Sequence, residues 1–229
     1  SIKMIIYFQL LKNLNIFLSG GGSAEESKFL DESFSRTVSS DKSIIYIPLA
    51  MEKSRFNQCF RWIKSVFPNK KIIMWKDLKK NNFSQLKNSA AVYIGGGNTF
   101  KLLYLFNKNG FNEVLKNYIK DGGIVYGGSA GAIILGHDLS TCWDDINRVC
   151  LKNLKGLNLI NGYSIWCHYK TEHDQKILEI SKKQKGIIAL SDKSGIQIST
   201  GWLISVGFEP VFLFKSGIKL EFKPGSNFI

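Results

Sequence analysis

A serine set among glycines is the strongest candidate for chemistry in this sequence. Ser129 lies in the sequence Gly-Gly-Ser-Ala-Gly at residues 127–131, between apolar runs at residues 124–126 and 132–135. Glycine on either side of a serine, between a strand and a helix, is the pattern of a nucleophile elbow. We therefore predict that Ser129 is the nucleophile of a serine hydrolase. The Ala130 N–H, at the start of the next helix, is the predicted oxyanion donor. A glycine-rich turn with an incidental serine is the alternative.

A second glycine loop, Gly95-Gly96-Gly97-Asn98, follows the apolar run at residues 90–94. Ligands collect at the carboxyl ends of parallel strands, so this loop and the serine turn are expected to face one cleft. We predict that Gly96 or Gly97 supplies a second oxyanion donor and that Asn98 belongs to the substrate-binding loop. A plain turn or a phosphate cradle remains open here. The loop contains neither a dinucleotide-binding fingerprint nor a P-loop.

A serine nucleophile needs a base, and the sequence contains three histidines. His137 is expected past the far end of the helix that follows Ser129, pointing away from it. His168 ends a short strand-like run and is therefore expected at the sheet edge, which makes it the predicted base. Its neighbour Cys167 lacks the elbow and the helix start that would lower a thiol pKa, so we predict a packing role for it.

Two carboxylate positions could orient the base. Asp192 follows a predicted strand at residues 187–190, which would bring it to the same sheet edge as His168. The pair Asp144-Asp145 lies in an irregular stretch after the nucleophile helix. The sequence pattern alone does not decide which of these carboxylates orients the base.

Short apolar runs alternate with amphipathic ones in the first part of the chain, which is typical of a parallel α/β sheet. After about residue 140 the pattern changes to an irregular stretch, one helix, and a strand followed by hairpins. We predict one α/β domain, with residues 1–12 as an N-terminal extension. The predicted strands are residues 15–18, 44–47, 71–74, 90–94, 124–126, 187–190, 195–198, 202–206, 211–214 and 219–222. The predicted helices are residues 30–38, 54–67, 99–106 with Thr99 as cap, 111–120, 130–135 and 174–183.

The composition limits the function classes. The chain has 229 residues, 44% of them hydrophobic, and a net charge of +13. No apolar run reaches the roughly 18 residues of a membrane span, and the apolar start lacks a clear cleavage site, so we expect neither a membrane segment nor a signal peptide. The lysines are scattered, which favours a solvated surface over nucleic-acid binding.

The four cysteines show no C-x-x-C spacing. This argues against a zinc site and a disulfide scaffold, and it favours a reducing compartment, which we take to be the cytoplasm. We expect no metal and no cofactor, and a monomer or homodimer that acts on a small peptide.

Several of these motifs, taken together and in this order, resemble the peptidase E family of serine peptidases. The resemblance spans most of the chain. It rests on Phe17-Leu18-Ser19-Gly20-Gly21-Gly22, Gly95-Gly96-Gly97-Asn98-Thr99-Phe100, Gly128-Ser129-Ala130-Gly131-Ala132, His168-Tyr169 and Leu190-Ser191-Asp192. It implies a three-layer α/β/α sandwich with a mainly parallel central sheet, similar to class I glutamine amidotransferases. It also implies hydrolysis of small peptides, including dipeptides with N-terminal Asp.

For the site, the resemblance implies Ser129 as nucleophile, His168 as base and Asp192 as acid, where peptidase E carries Glu. Asp144 fits the position of another aspartate assigned to the family's site and is the alternative acid. His173 stands where aspartyl-specific members carry an arginine for the substrate's Asp side chain. A neutral histidine is a weaker partner for a carboxylate than an arginine is. The resemblance therefore supports the hydrolase chemistry more strongly than the aspartyl specificity.

Three other functions remain open at this point. An esterase-like hydrolase would use the chain order Ser129, Asp144, His168. A non-catalytic binding or regulatory domain could keep the same fold. Nucleic-acid binding, suggested by the basic charge, ranks third.

Overall fold

Five adjacent parallel strands form one side of the larger of two sheets. The computed structural model describes residues 14–79, 83–199 and 201–228, so the N-terminal extension predicted at residues 1–12 lies outside the described residues. The larger sheet has eight strands in the order β12-β9-β8-β1-β5-β4-β2-β3. Its parallel strands are β1 (Asn15–Ser19), β2 (Ser43–Ile47), β3 (Lys71–Met74), β4 (Ala91–Ile94) and β5 (Ile124–Gly128). All five lie where the apolar runs predict them.

Helices cover both faces of this sheet, because successive side chains of each strand point to opposite faces. On one face, Phe17 and Tyr126 pack with helices α1 and α2. On the other, Ile16 and Val125 pack with helices α3, α4 and α5. The helices are α1 (Lys28–Thr37), α2 (Phe56–Val66), α3 (Thr99–Lys108), α4 (Phe111–Lys120), α5 (Ala130–Leu135) and α6 (Asp174–Ser181). The predicted three-layer sandwich is confirmed.

The rest of the chain divides between the two sheets, which the sequence does not predict. Strands β8 (Ser194–Ser199), β9 (Trp202–Gly207) and β12 (Asn227–Phe228) extend the larger sheet with antiparallel pairing. A smaller sheet has the order β11-β10-β7-β6. It consists of β6 (Tyr163–Trp166), β7 (Gly186–Ala189), β10 (Val211–Lys215) and β11 (Ile218–Phe222). In β6 and β7 every residue is buried, so no alternation of polar and apolar residues indicates their partners.

Candidate active site

Ser129 occupies the sharp turn between β5 and α5. Its backbone angles, φ 49° and ψ −111°, are ones that non-glycine residues rarely adopt, and such a conformation costs on the order of 1–3 kcal/mol. Hydrogen bonds on both sides hold it in place. The Ser129 N–H donates to the Ser19 carbonyl at 3.1 Å, and the Ser129 carbonyl accepts from Ala132 and Ile133 at 2.8 and 3.0 Å. This is the geometry of an elbow that presents its side chain at the sheet edge.

Close backbone packing explains the glycine that follows the serine turn. A Cβ atom on Gly131 would lie 2.3 Å from the carbonyl oxygen of Ile94 in β4, whereas unstrained non-bonded distances between heavy atoms are about 3.5 Å. A side chain at this position would therefore collide with the neighbouring strand. Any side chain at Gly131 would push α5, and with it the serine turn, away from the sheet.

His168 and Asp192 lie beside Ser129 in a continuous line of hydrogen bonds. Ser129 Oγ is 2.8 Å from His168 Nε2, and His168 Nδ1 is 2.7 Å from Asp192 Oδ1. An ionised carboxylate only accepts hydrogen bonds, so Nδ1 must carry a proton, and in the neutral ring Nε2 is left to accept from the serine hydroxyl. The arrangement is the one that removes a proton from a serine.

The smaller sheet supplies both the histidine and the carboxylate. His168 follows β6 and Asp192 follows β7, and these two strands are parallel neighbours. The His168 N–H donates to the Gly20 carbonyl at 3.1 Å, which ties this sheet to the end of β1. The three side chains therefore meet where the carboxyl ends of strands from both sheets come together.

The two titrating groups shift each other's pKa. The hydrogen bond to Asp192 is the main cause that raises the pKa of His168, and partial burial opposes it. The same bond is the main cause that lowers the pKa of Asp192. Asp144 also raises the pKa of His168, but only through its charge, because the Nδ1 atom is bonded to Asp192. Of the two predicted acids, Asp192 is the one that contacts the imidazole.

Gly21, in the loop after β1, touches the predicted catalytic pair, and the sequence reasoning did not assign it a site role. A Cβ atom on Gly21 would lie 2.4 Å from His168 Cε1 and 2.9 Å from Ser129 Cβ. Its φ of +112° is also one that side chains rarely allow. The three glycines at residues 20–22 are the signal that could have indicated this close approach.

We expect Gly21→Ala to lower kcat/KM by about 10²-fold or more, because the added methyl group displaces the imidazole, and a misplacement of about 1 Å has that cost. Gly122→Ala is the matched control, since Gly122 also has a positive φ, +89°, but nothing within 4 Å of a Cβ atom. Both variants are measured by peptide turnover and thermal melting. Equal activity of the two variants would contradict this role for Gly21.

The backbone of Gly96 and the start of α5 lie next to Ser129. Ala130 is the first residue of α5, and the first N–H groups of a helix have no partner within the helix. A Cβ atom on Gly96 would lie 3.2 Å from Ser129 Cβ, so the Gly96 backbone passes close to the serine. The loop is held at its ends by bonds from Gly95 to Ile47 at 3.0 Å and from Asn98 to Ala50 at 2.9 Å. The predicted oxyanion residues are thus adjacent to the serine.

Asn98 uses its side chain within the protein. Its Oδ1 accepts from the Lys101 N–H at 2.9 Å, and its Nδ2 donates to the Ile146 carbonyl at 3.0 Å. Asn98 is therefore the cap of α3, and the prediction of Thr99 as cap is wrong: Thr99 is the first helical residue. The carboxamide reaches the N–H three residues on and also holds the loop that carries Asp145.

An acidic cavity of about 250 Å³ lies beside Ser129 and His168. Asp145 Oδ2 accepts from the Thr99 N–H at 2.7 Å, and the exposed Asp144 lies next to it. The buried hydroxyls of Thr99 and Thr141 have no hydrogen-bond partner within the described part of the chain. The cavity is lined by Gly97, Thr99, Ser129, Ile133, Thr141, Trp143, Asp144, Asp145, Cys167 and His168. It offers negative charge and unused hydroxyls to a ligand. Asp144 and Asp145 are predicted from the sequence as site candidates, whereas no site role is predicted for either threonine.

His173 lies behind this cavity. It is 9% exposed, and its ring is 4.6 Å from that of Trp143 and 5.5 Å from that of Trp166. Its Nδ1 accepts from the Lys170 N–H at 3.2 Å. Burial is the main cause that lowers its pKa, which favours the neutral form of the ring. His173 supports the Trp143 side of the cavity without lining it.

The remaining candidates either lie apart from the serine hydroxyl or are poorly suited to act as nucleophiles. The His137 N–H donates to the Tyr163 carbonyl at 2.9 Å, beyond the end of α5. Cys167 is buried behind the turn, with Sγ 3.5 Å from the Ser129 carbonyl oxygen, and burial raises its thiol pKa. All four cysteines are free.

Within the described ranges, no group of three or more His, Cys, Asp or Glu side chains could hold a metal ion. None of the helices described has the length and apolar character of a membrane span.

Comparison with known proteins gives consistent findings. A family model described as peptidase family S51 matches residues 16–206. Peptidase E of Nostoc sp. is 25% identical over 205 residues, which cover 82% of this chain and 83% of that protein. The uncharacterized peptidase YgaJ of Bacillus subtilis is 28% identical over 173 residues, 70% of each chain. The crystal structure of a peptidase from an acI-B1 Actinobacterium matches with a TM-score of 0.74 at 17% identity, covering 93% of this chain and 96% of that one. The similarity to the actinobacterial crystal structure shows that the two chains share a fold.

Proposed function

Because this chain belongs to peptidase family S51 and is a serine hydrolase, we propose that it cleaves small peptides at their amino terminus through Ser129, His168 and Asp192. The family match confirms the resemblance to peptidase E. The observation that carries the proposal is the unbroken line from Ser129 Oγ through the imidazole to Asp192 Oδ1, with distances of 2.8 and 2.7 Å.

The mechanism is acyl transfer to water. Ser129 Oγ forms a bond to the peptide carbonyl carbon while its proton passes to His168 Nε2. The oxyanion receives hydrogen bonds from the N–H groups of Ala130 and of Gly96 or Gly97, each such donor contributing roughly 10²–10³ in rate. The C–N bond then breaks as His168 gives its proton to the leaving amine. Water, deprotonated by His168, releases the acyl group from Ser129.

The acidic cavity supports a substrate with a free α-amino group. Asp144 and Asp145 place two carboxylates beside the serine, and an ammonium group is their natural partner. The unpartnered hydroxyls of Thr99 and Thr141 can accept or donate further hydrogen bonds. A volume of about 250 Å³ is suited to one amino-acid residue. We therefore place the first residue of the peptide in this cavity.

The preference for aspartate that the family resemblance implies stays a prediction, and the cavity's charge gives it no support. Burial lowers the pKa of His173, which lies behind Trp143, and within the described lining no arginine faces the first residue. We expect kcat/KM for Asp-Leu and Asn-Leu to differ by less than about tenfold. We expect N-acetyl-Asn-Leu, which lacks the ammonium group, to be cleaved far more slowly than Asn-Leu.

Product release from these three peptides, measured by chromatography with the folded enzyme, tests the proposal. Failure of all three to be cleaved would overturn the peptidase assignment proposed here. Strong selection of Asp-Leu over Asn-Leu would instead reinstate aspartyl specificity and contradict our placement of the ammonium group. Equal cleavage of the acetylated peptide would remove the role of Asp144 and Asp145.

The competing functions receive less support. In the esterase-like order Asp144 would orient the base, yet His168 Nδ1 is bonded to Asp192. A purely binding domain would not need the strained turn at Ser129 or a base in contact with it. We further propose small peptides, rather than nucleic acid, as its partners. The four free cysteines support our proposal of a cytoplasmic location.

A further inference from the structure

A second cavity, of about 440 Å³, also opens onto Ser129 and His168. It shares Gly97, Ser129 and His168 with the acidic cavity and no other lining residue. The two cavities therefore meet at the serine hydroxyl. A peptide whose carbonyl carbon is held there must extend into one cavity with its acyl part and into the other with its leaving part.

The walls of the second cavity come from the other side of the sheet edge. Arg55, Gln58 and Trp62 reach it from the start and the first turns of α2, and Met51 from the loop before that helix. Gly21 also lines it, and the Gly21 backbone packs against the Cε1–Nε2 edge of His168. The nitrogen that must protonate the leaving amine is therefore at the entrance of this cavity.

The charges of the two cavities are opposite. The first contains Asp144 and Asp145, whereas the described lining of the second contains no carboxylate and one guanidinium, that of Arg55. Within the part of the chain that the structure describes, Arg55 forms no ion pair. The carboxylate of the nearby Glu52 is bonded to Lys101 at 3.0 Å instead. Arg55 is thus available to an anion from outside.

A free dipeptide has the matching distribution of charge. Its ammonium group belongs to the acyl part, its carboxylate to the leaving part, and the peptide carbonyl lies between them. We propose that the second cavity is the leaving-group site and that Arg55 binds the α-carboxylate of the residue released as the amine. This inference rests on the proposed peptidase function and adds to it the residue that recognises the free carboxylate of a dipeptide.

The chemistry of the site fits this role. A planar guanidinium binds a carboxylate through two parallel hydrogen bonds, which also fixes the direction of the ligand. Met51 and Trp62 provide apolar surface for the side chain of the released residue. Once that residue leaves, the same cavity admits the water that attacks the acyl group on Ser129.

The test compares Asn-Leu with its C-terminal amide, Asn-Leu-NH₂, in Arg55→Gln and in wild type. We expect Arg55→Gln to lower kcat/KM for the free acid by about tenfold or more, mainly through KM, because a charge-assisted bidentate contact is lost. For the amide, which has no carboxylate, we expect Arg55→Gln to change kcat/KM by less than about twofold. Arg55→Lys should restore part of the effect, since it keeps the charge without the planar fork. Arg61→Gln is the matched control, because Arg61 is exposed on α2 and lies outside the cavity. It should leave kcat/KM unchanged for both substrates.

The outcomes separate the two proposals. Equal loss on the acid and the amide, or no loss on either, overturns the role of Arg55 while leaving the peptidase assignment in place. If wild type cleaves neither compound in a manner that depends on Ser129, the proposed function fails and the leaving-group site falls with it. Because Arg55 is exposed, circular dichroism of the variants is expected to match wild type, so a loss of activity reports on binding.

Discussion

Replacing Ser129 with alanine is expected to lower kcat/KM by about 10⁴-fold or more while leaving the protein folded, because removing one member of such a triad abolishes covalent catalysis. Alanine keeps the Cβ atom and the same backbone strain at φ 49°, so the turn itself should persist. What is lost is the oxygen that forms the acyl bond and its 2.8 Å contact with His168 Nε2. The measurement is peptide turnover together with a thermal melt.

A fluorophosphonate probe gives an independent readout of the same variant. Intact-mass analysis should show one added phosphonyl group on wild type and none on Ser129→Ala. Ser33→Ala is the control, because Ser33 Oγ is bonded to Gln197 at 2.7 Å, lines neither cavity, and should leave labelling and turnover unchanged. Persistent labelling of Ser129→Ala would show that another residue is the nucleophile.

The second large effect concerns the two candidate acids. We expect Asp192→Asn to lower kcat by about 10⁴-fold, because the introduced carboxamide can donate to Nδ1 and favour the tautomer whose Nε2 cannot accept the serine proton. Asp144→Asn should lower kcat/KM by no more than about tenfold, chiefly through KM, since Asp144 acts on His168 only through its charge. The pair is closely matched, because both carboxylates lie at the site. The reverse ranking would favour the esterase-like order instead.

The pH profile of these variants provides a further check. Only the neutral imidazole can accept a proton, so kcat/KM should fall as the pH drops through the pKa of His168. The bond to Asp192 is the main cause that raises this pKa, so we expect the acid limb of wild type at a higher pH than the ordinary histidine pKa would give. The residual activity of Asp192→Asn should show its acid limb at lower pH, and Asp144→Asn a smaller shift in the same direction. If the acid limb of Asp192→Asn lies at the same pH as that of wild type, the bond to Asp192 does not raise the pKa of His168.

Features that depend on neighbours in the chain could be predicted from the sequence. The turn at Ser129 and the start of α5 at Ala130 follow from local glycine spacing and an apolar run. The five parallel strands follow from apolar runs between amphipathic helices. His168 was chosen from three histidines because it ends a strand, and the structure places its ring against the serine.

Features that depend on distant parts of the chain could not be predicted in the same way. β6 and β7 are buried along their whole length, so nothing in their own residues shows that they form a separate sheet. Gly21 and Arg55 reach the site from loops and helices far from it in sequence. For the cap of α3, Asn98 and Thr99 are both suitable residue types, and only the bond from Lys101 to Asn98 decides between them.

Because the site is divided between two sheets, hydrolysis requires both sheets to be folded and in contact. The serine belongs to the larger sheet, whereas the histidine and the carboxylate follow strands of the smaller one. A nascent chain in which only the five parallel strands β1 to β5 have formed carries a serine hydroxyl without a base, and such a hydroxyl is a poor nucleophile. Docking of the two sheets, through contacts such as that between His168 and Gly20, completes the reactive group. A chain that has folded only as far as the five parallel strands is therefore expected to be inactive.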